Sequence, residues 1–302
     1  SEKIVQSFKE KYDYITLEID EAPWGDFTTK IATQIAGGTA PDVWFQENAA
    51  IIGYGSRGVA EDLMPYINRD LNVGEFAEAL FAARKGDKVW GIPHGANPIA
   101  LAYNKTLFEE AGVPFPTDDW TFDDMIDAAI KLTKRSSDEG PAEVYGMITS
   151  TNITQGWFPW IKSTGGKALD ETLTKAQFTD PKTIEGITKW AAMSQKLKVS
   201  PTPAEIKEYG NAIQMFGNGK AAMYFIQYAE AQSIINVNFP DFDYDVVMIP
   251  KASDGNRYVP NVINCWVIYS KSKQEEKDAA WEWIKHFLSA ESQDIVAESG
   301  GS

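Results

Sequence analysis

YITLEIDEAPWGDFTTKIATQIAGGTAPDVWF, residues 14 to 45, is the stretch on which the fold turns. Its first six residues alternate apolar and polar side chains, the pattern of a half-buried strand. Phe27, Ile31 and Ile35 then recur at helical spacing over residues 26 to 36, and the Gly37-Gly38 pair stops that helix. PDVWF (41 to 45) reads as a buried strand. The order β-α-β predicts a mainly parallel sheet covered by helices, with a ligand site beyond the carboxyl ends of the strands. Here that end is Gln46, Glu47 and Asn48.

The same alternation continues in both directions. Ile4, Val5, Phe8 and Tyr12 share a helical stripe over residues 2 to 12. VWGIP (89 to 93) and IALAYN (99 to 104) are strand-like, and KTLFEEAG (105 to 112) is a helix closed by Gly112 and Pro114. Beyond it long helices dominate. Residues 121 to 134 open with Thr121 and Asp124 in capping-box spacing and turn Met125, Ala129 and Leu132 inward. Residues 181 to 197 and 274 to 288 are further amphipathic helices, with short strands at 221 to 226, 244 to 249 and 265 to 270. A chain of 302 residues exceeds what one core usually organises, so two lobes of about 150 residues are expected. No repeat or flexible linker separates them, which predicts a chain that crosses between lobes more than once.

With 28 Lys and Arg against 43 Asp and Glu, the formal charge of -15 repels nucleic acid and anionic membrane surfaces. Cys265 is the single cysteine, so no internal disulfide forms. No run of about 18 apolar residues exists to span a bilayer, and the opening SEKIVQSFKEKY is no signal-peptide core.

Catalytic and cofactor motifs are weak. Gly53-Tyr54-Gly55-Ser56-Arg57-Gly58 has dinucleotide-fingerprint spacing but lacks the strand before it and the helix after it, so it reads as a turn. Lys167 and Lys220 follow glycines without phosphate-loop spacing, and Ser56 is one residue out of phase with a nucleophile elbow. A zinc site would have to recruit His94, His286 and Cys265 from distant segments without ligand spacing. No metal or other cofactor is expected. The ten tryptophans are the informative excess, because an indole face stacks on the apolar face of a sugar ring. Trp190, Trp266, Trp281 and Trp283 sit in core patterns, whereas Trp24, Trp157 and Trp160 lie where rings could line a cleft.

AGGTAPDVWF (36 to 45), GVAEDLMPYI (58 to 67), VWGIPHGANPIALAYNKTLFEEAGV (89 to 113), FGNGKAAMYF (216 to 225) and WVIYSKSKQEEKDAAWEWIKHFL (266 to 288) together resemble the extracellular solute-binding proteins of ABC importers. The resemblance is to the sugar-binding family that includes maltodextrin-binding protein, and it covers nearly the whole chain. It implies a periplasmic-binding-protein-like fold of two discontinuous α/β lobes joined by crossing hinge strands. Lobe one would hold residues 1-97 and 250-270, and lobe two residues 98-249 and 271-302. It implies a carbohydrate ligand, an oligosaccharide first of all, captured by lobe closure and passed to the permease subunits of an ABC transporter. It implies no chemistry on the ligand and no nucleic acid partner. A monomer in the periplasm, or lipid-anchored at the cell surface, is expected. Carried over residue by residue, Gln46, Glu47, Asn48, Asn97, Gln155, Trp157, Gln227, Tyr228 and Asn264 are the expected ligand contacts, with Trp24 and Trp160 as further aromatic candidates. Relative to the family, the chain lacks an opening strand and its loop and the closing helices, as a trimmed fragment would. The competing functions are a secreted glycoside hydrolase, using two of the many carboxylates, and the same receptor fold with a peptide, polyamine or phosphodiester ligand.

Overall fold

In the computed structural model the described residues are 2–22, 24–71, 82–137, 140–171, 174–252 and 254–298. In chain order they form α1 (Glu2–Lys11), α2 (Trp24–Gly37), β1 (Val43–Glu47), α3 (Asn48–Ser56), α4 (Met64–Asp70), β2 (Arg84–Lys85), β3 (Lys88–Val89) and β4 (Ile92–Asn104). Next come α5 (Lys105–Ala111), α6 (Phe122–Leu132), a π-turn (Ile153–Trp157), α7 (Phe158–Ser163), α8 (Pro181–Gln195), α9 (Pro203–Glu208), α10 (Ala212–Gly217) and β5 (Met223–Gln227). A winding run follows as α11 (Tyr228–Glu230), a second π-turn (Ala231–Ile235) and α12 (Asn236–Asn238). The chain closes with β6 (Tyr244–Val247), β7 (Asn261–Ile268), α13 (Gln274–Leu288) and α14 (Ala290–Glu298).

The chain divides into two compact units, residues 1–96 with 262–302 and residues 97–261. It passes from one to the other twice, inside β4 and at the start of β7. The division differs from the sequence expectation at two places. Residues 250–261 belong to unit 2, and residues 271–302 belong to unit 1. The second difference has a clear cause: α13 turns Ala280, Trp281, Trp283, Ile284 and Phe287 into a core shared with Ile4 and Phe8 of α1 and Ile67 of α4. That apolar stripe has to be buried where a matching surface exists, and α1 supplies it.

In unit 1, β1 pairs antiparallel with β7, Val43 opposite Ile268 and Glu47 opposite Asn264. Successive side chains alternate faces. Phe45 and Trp266 therefore join the α1 and α13 core, while Trp44, Cys265 and Val267 join Phe27 and Ile31 of α2 and Ile51 of α3. In unit 2, β5 and β6 both pair antiparallel with β4. Leu101, Tyr103, Met223 and Phe225 pack with α5, α6, Trp160 of α7 and Met193 of α8; Ala102, Tyr224 and Ile226 pack with α10 and the run 228–238. Each unit is thus a sheet with helices on both faces. The capping box of α6 forms as its spacing requires: Thr121 N donates to Asp124 Oδ2 at 2.8 Å and Asp124 N donates to Thr121 Oγ1 at 3.2 Å.

The expected parallel sheet is not what these ladders show. Residues 14–19 keep their alternation, with Ile15 and Leu17 partly buried and their neighbours exposed, but they form no strand. A strand needs a hydrogen-bonded neighbour, and β1 takes its neighbour β7 from the far end of the chain, running antiparallel. The glycine-rich segment also differs from the expected turn. Residues 53–56 are the last turn of α3, and the chain turns at Arg57-Gly58, where Gly58 has φ +71°. Gly55 is small because Trp90 packs on it; a Cβ there would fall 1.9 Å from the indole. These glycines stand at the end of a helix, where the carbonyls would repel a pyrophosphate.

Candidate functional site

The polar side chains of unit 2 gather at the carboxyl end of β5. This strand is buried from Met223 to Ile226 and ends in Gln227, where the chain turns into α11. The Gln227 backbone N–H donates to Glu230 Oε2 at 3.0 Å, which fixes the turn. Facing it is the π-turn, opened by Asn152, whose side chain accepts from Gln155 N at 2.7 Å. Gly156 is required there, because a Cβ would fall 2.3 Å from the Ser150 carbonyl oxygen. The turn aims the Gln155 side chain inward, where only 2% of it is exposed.

Gln155 then ties the two segments together. Its Nε2 lies 2.8 Å from the Phe225 carbonyl, 2.9 Å from the Tyr224 hydroxyl and 2.6 Å from Glu230 Oε2. Its Oε1 accepts from Asn152 Nδ2 at 3.0 Å and from Gln227 Nε2 at 3.1 Å. On the other side of the turn, Asn97 Oδ1 accepts from Ala229 N at 3.1 Å. Asn97, Gln155 and Gln227, three expected contacts from three distant segments, are therefore brought together. Tyr228 stands on the same turn with 38% of its surface exposed. Burial raises the Glu230 carboxyl above its ordinary value, opposed by the hydrogen bonds from Gln227 and Gln155. The Tyr224 phenol is raised well above its usual value by burial, and the Glu230 charge adds to the effect.

The aromatic candidates separate. Trp157 is half-buried, its ring edge-on to Phe158 and tilted against Phe178. Trp160 is core instead of a presented ring: 2% exposed, its ring centroid is 4.6 Å from that of Phe122. It lies inside α7 and packs into the unit 2 core, whereas Trp157 belongs to the π-turn before that helix. The Trp24 side chain lies outside the described residues. Trp266, Trp281 and Trp283 are buried as expected, and half-buried Trp190 donates from Nε1 to the Ser150 carbonyl at 3.2 Å.

In unit 1, Glu47 and Asn264 face each other across the β1–β7 ladder. Burial raises the Glu47 carboxyl above its ordinary value. Asn264 Oδ1 is buried with no hydrogen-bond partner among the described residues. Gln46 belongs to the opposite face of the ladder: it is 4% exposed, and its Oε1 also lacks a partner among the described residues. That places it on the side of Trp44 and Cys265, turned toward the core. Asn48 Nδ2 donates to the Ala82 carbonyl at 3.3 Å and holds the chain.

A cavity of about 1130 Å³ in unit 1 lies elsewhere, walled by Ile4, Leu17, Ile31, Trp44, Phe45 and Trp266. Its wall also carries polar side chains, among them Glu10, Glu18, Asp20, Lys30 and Gln34, but not Gln46, Glu47, Asn48 or Asn264. The two histidines serve packing: His94 stacks on Phe45 and Phe287, and His286 Nε2 lies 2.9 Å from Ser7 Oγ. Among the described residues no three of His, Cys, Asp and Glu gather to hold a metal.

The sequence profile of the bacterial extracellular solute-binding proteins matches residues 3–302. The chain belongs to this family. Among its curated relatives, the erythritol/L-threitol-binding protein of Mycolicibacterium smegmatis is 28% identical, over 95% of this chain and 63% of its own length. The chain thus spans under two thirds of that relative. Among solved structures, an ABC substrate-binding protein from Listeria monocytogenes in complex with cycloalternan superposes with a TM-score of 0.87 at 26% identity, over 99% of this chain and 74% of that one. A solute-binding protein from Thermotoga lettingae bound with α-D-tagatose gives 0.85 at 23% identity, over 100% and 76%, and shows the same fold. The two-lobed α/β fold expected from the resemblance is the fold of these proteins.

Glu230, Asn152 and Tyr224 are the members of the unit 2 cluster that the sequence reading misses. Glu230 had a signal, because it stands three residues after Gln227 in the spacing of a capping box. Asn152 precedes Gln155 by the same interval. Nothing in the local sequence of Tyr224 distinguishes it from the other buried residues of β5.

Proposed function

We propose that this chain is the substrate-binding component of an ABC importer, acting outside the cytoplasm to capture a carbohydrate or polyol and deliver it unmodified to a membrane permease. The observation that carries this reading is the convergence of Asn97, Gln155 and Gln227 on the turn after β5, with Gln155 two residues before the half-buried Trp157. These amides brace the turn that carries Tyr228 and Glu230, where a carboxylate oxygen can accept a hydroxyl, and an indole supplies a face for the ring carbons. The ligands of the similar proteins, erythritol or L-threitol, cycloalternan and α-D-tagatose, support the same ligand class. Among the described residues no helix is long and apolar enough to cross a membrane, and the permease supplies the membrane path in this reading. Function as a monomer belongs to the same proposal.

A screen of polyols, monosaccharides and oligosaccharides by thermal shift and calorimetry, with mass spectrometry of the recovered ligand, tests it. The expected result is saturable binding of one ligand group with every molecule recovered intact. Catalytic depletion of a sugar would favour the glycoside hydrolase instead, and a screen in which only peptides, polyamines or phosphodiesters bind would exclude the carbohydrate.

A further inference from the structure

We propose that Glu230 sets the charge selectivity of this site: its carboxylate accepts hydroxyls of uncharged polyhydroxylated ligands and rejects ligands bearing a carboxylate or phosphate. The inference rests on the carbohydrate reading above and adds a residue and a narrower ligand class to it.

Both hydrogen bonds to Glu230 fall on Oε2, from Gln155 Nε2 at 2.6 Å and Gln227 N at 3.0 Å. No hydrogen bond among the described residues falls on Oε1. The Gln155 amide carries two hydrogens and already has three acceptors within reach, so it has none to spare for an anion. Its Oε1 is likewise filled by Asn152 and Gln227. The groups that hydrogen-bond to Glu230, or to its partner Gln155, are uncharged: Asn152, Gln155, Tyr224 and Gln227. Among the described residues no lysine or arginine forms an ion pair with it. A largely buried carboxylate without a cation repels a second anion through a weakly screening medium, and a hydroxyl meets a charged acceptor, the stronger kind. At a separation of about 5 Å and an effective dielectric near 20, the repulsion corresponds to a discrimination on the order of a hundredfold.

Calorimetric titration at pH 7.5 with matched pairs tests the assignment: erythritol with erythronate, sorbitol with gluconate, maltotriose with its aldonate. Wild-type protein should bind at least one neutral member and bind its aldonate about a hundredfold more weakly. Glu230→Gln, which keeps the shape and removes the charge, should narrow that gap tenfold or more while still binding the neutral member. A wild-type protein that binds an aldonate as tightly as its neutral partner overturns the proposal, whatever the variant's stability. So does a variant of unchanged Tm that leaves the gap unchanged. Failure of every neutral member to bind the wild type overturns the carbohydrate reading itself, and this inference with it.

Discussion

The strand ends of the two units treat their amides in opposite ways. After β5 in unit 2, Gln155, Gln227 and Asn97 are bonded to one another's segments and hold a turn in place. At the end of the β1–β7 ladder in unit 1, Gln46 Oε1 and Asn264 Oδ1 are buried without a partner among the described residues, as are Nε1 of Trp44 and Trp266. A buried acceptor left unpaired costs about 1–3 kcal/mol, so the unit 1 amides call for a partner that the described residues do not supply, whereas the unit 2 amides supply one another's. A polar residue in a core pattern therefore says little by itself. What its neighbours can donate decides whether it organises the fold or burdens it.

The largest effect should come from an indole that is both buried and bonded. Trp281 is fully buried and donates from Nε1 to Asp70 Oδ2 at 2.7 Å, unlike Trp44 and Trp266 in the same unit. Trp281→Ala should lower stability by about 3–5 kcal/mol in chemical denaturation, and a loss below about 1 kcal/mol would show that α13 does not anchor unit 1. Gln155→Leu should cost about 3 kcal/mol, because it strips donors from Glu230 and the Phe225 carbonyl and an acceptor from Asn152 and Gln227. Trp157→Ala should weaken sugar binding by about 1–3 kcal/mol in calorimetry with little change in Tm. Unchanged affinity would make Trp157 part of the scaffold.

Gln46→Met sharpens the contrast. It replaces an unpaired acceptor by an apolar side chain of similar volume, so stability should stay level or rise by about 1 kcal/mol. A loss as large as that of Gln155→Leu would show that the two strand ends are equivalent. The smallest effects are those of pH. Burial raises Glu47 and Glu230, so the native chain holds more protons than the unfolded one between the ordinary carboxylate value and the raised one. Their contribution to stability falls as pH rises through that window. His94, brought down to about 4 by burial, works in the other sense: the native chain holds fewer protons between pH 6.5 and about 4, and stability falls as pH drops through that range. Denaturation curves of Glu230→Gln and His94→Gln should each lose the matching slope.

Elements whose sequence carries its own start and stop were legible. The α6 capping box, the Gly112 stop of α5 and the apolar stripe of α13 all follow from spacing within one segment. Partnership was not legible. Residues 14–19 have a strand's alternation without a strand's neighbour, and β7 pairs with β1 although more than two hundred residues separate them. The candidate site divides along the same line. Gln155 and Gln227 follow from the family resemblance, but the placement of Gln46 depends on which face of β1 it occupies, and Trp160 on which side of α7 meets the core. Glu230 carries a local capping-box signal, but its bond to Gln155 joins two residues 75 apart in the chain.

The central claim is that the turn after β5, braced by these amides, grips the ligand. The direct measurement is nuclear magnetic resonance of the Gln155 and Gln227 side-chain NH₂ groups during titration with whichever saccharide or polyol binds. Both pairs of resonances should shift saturably, with the dissociation constant that calorimetry gives. A ligand that saturates the protein while those resonances stay fixed would place the grip elsewhere and contradict the account.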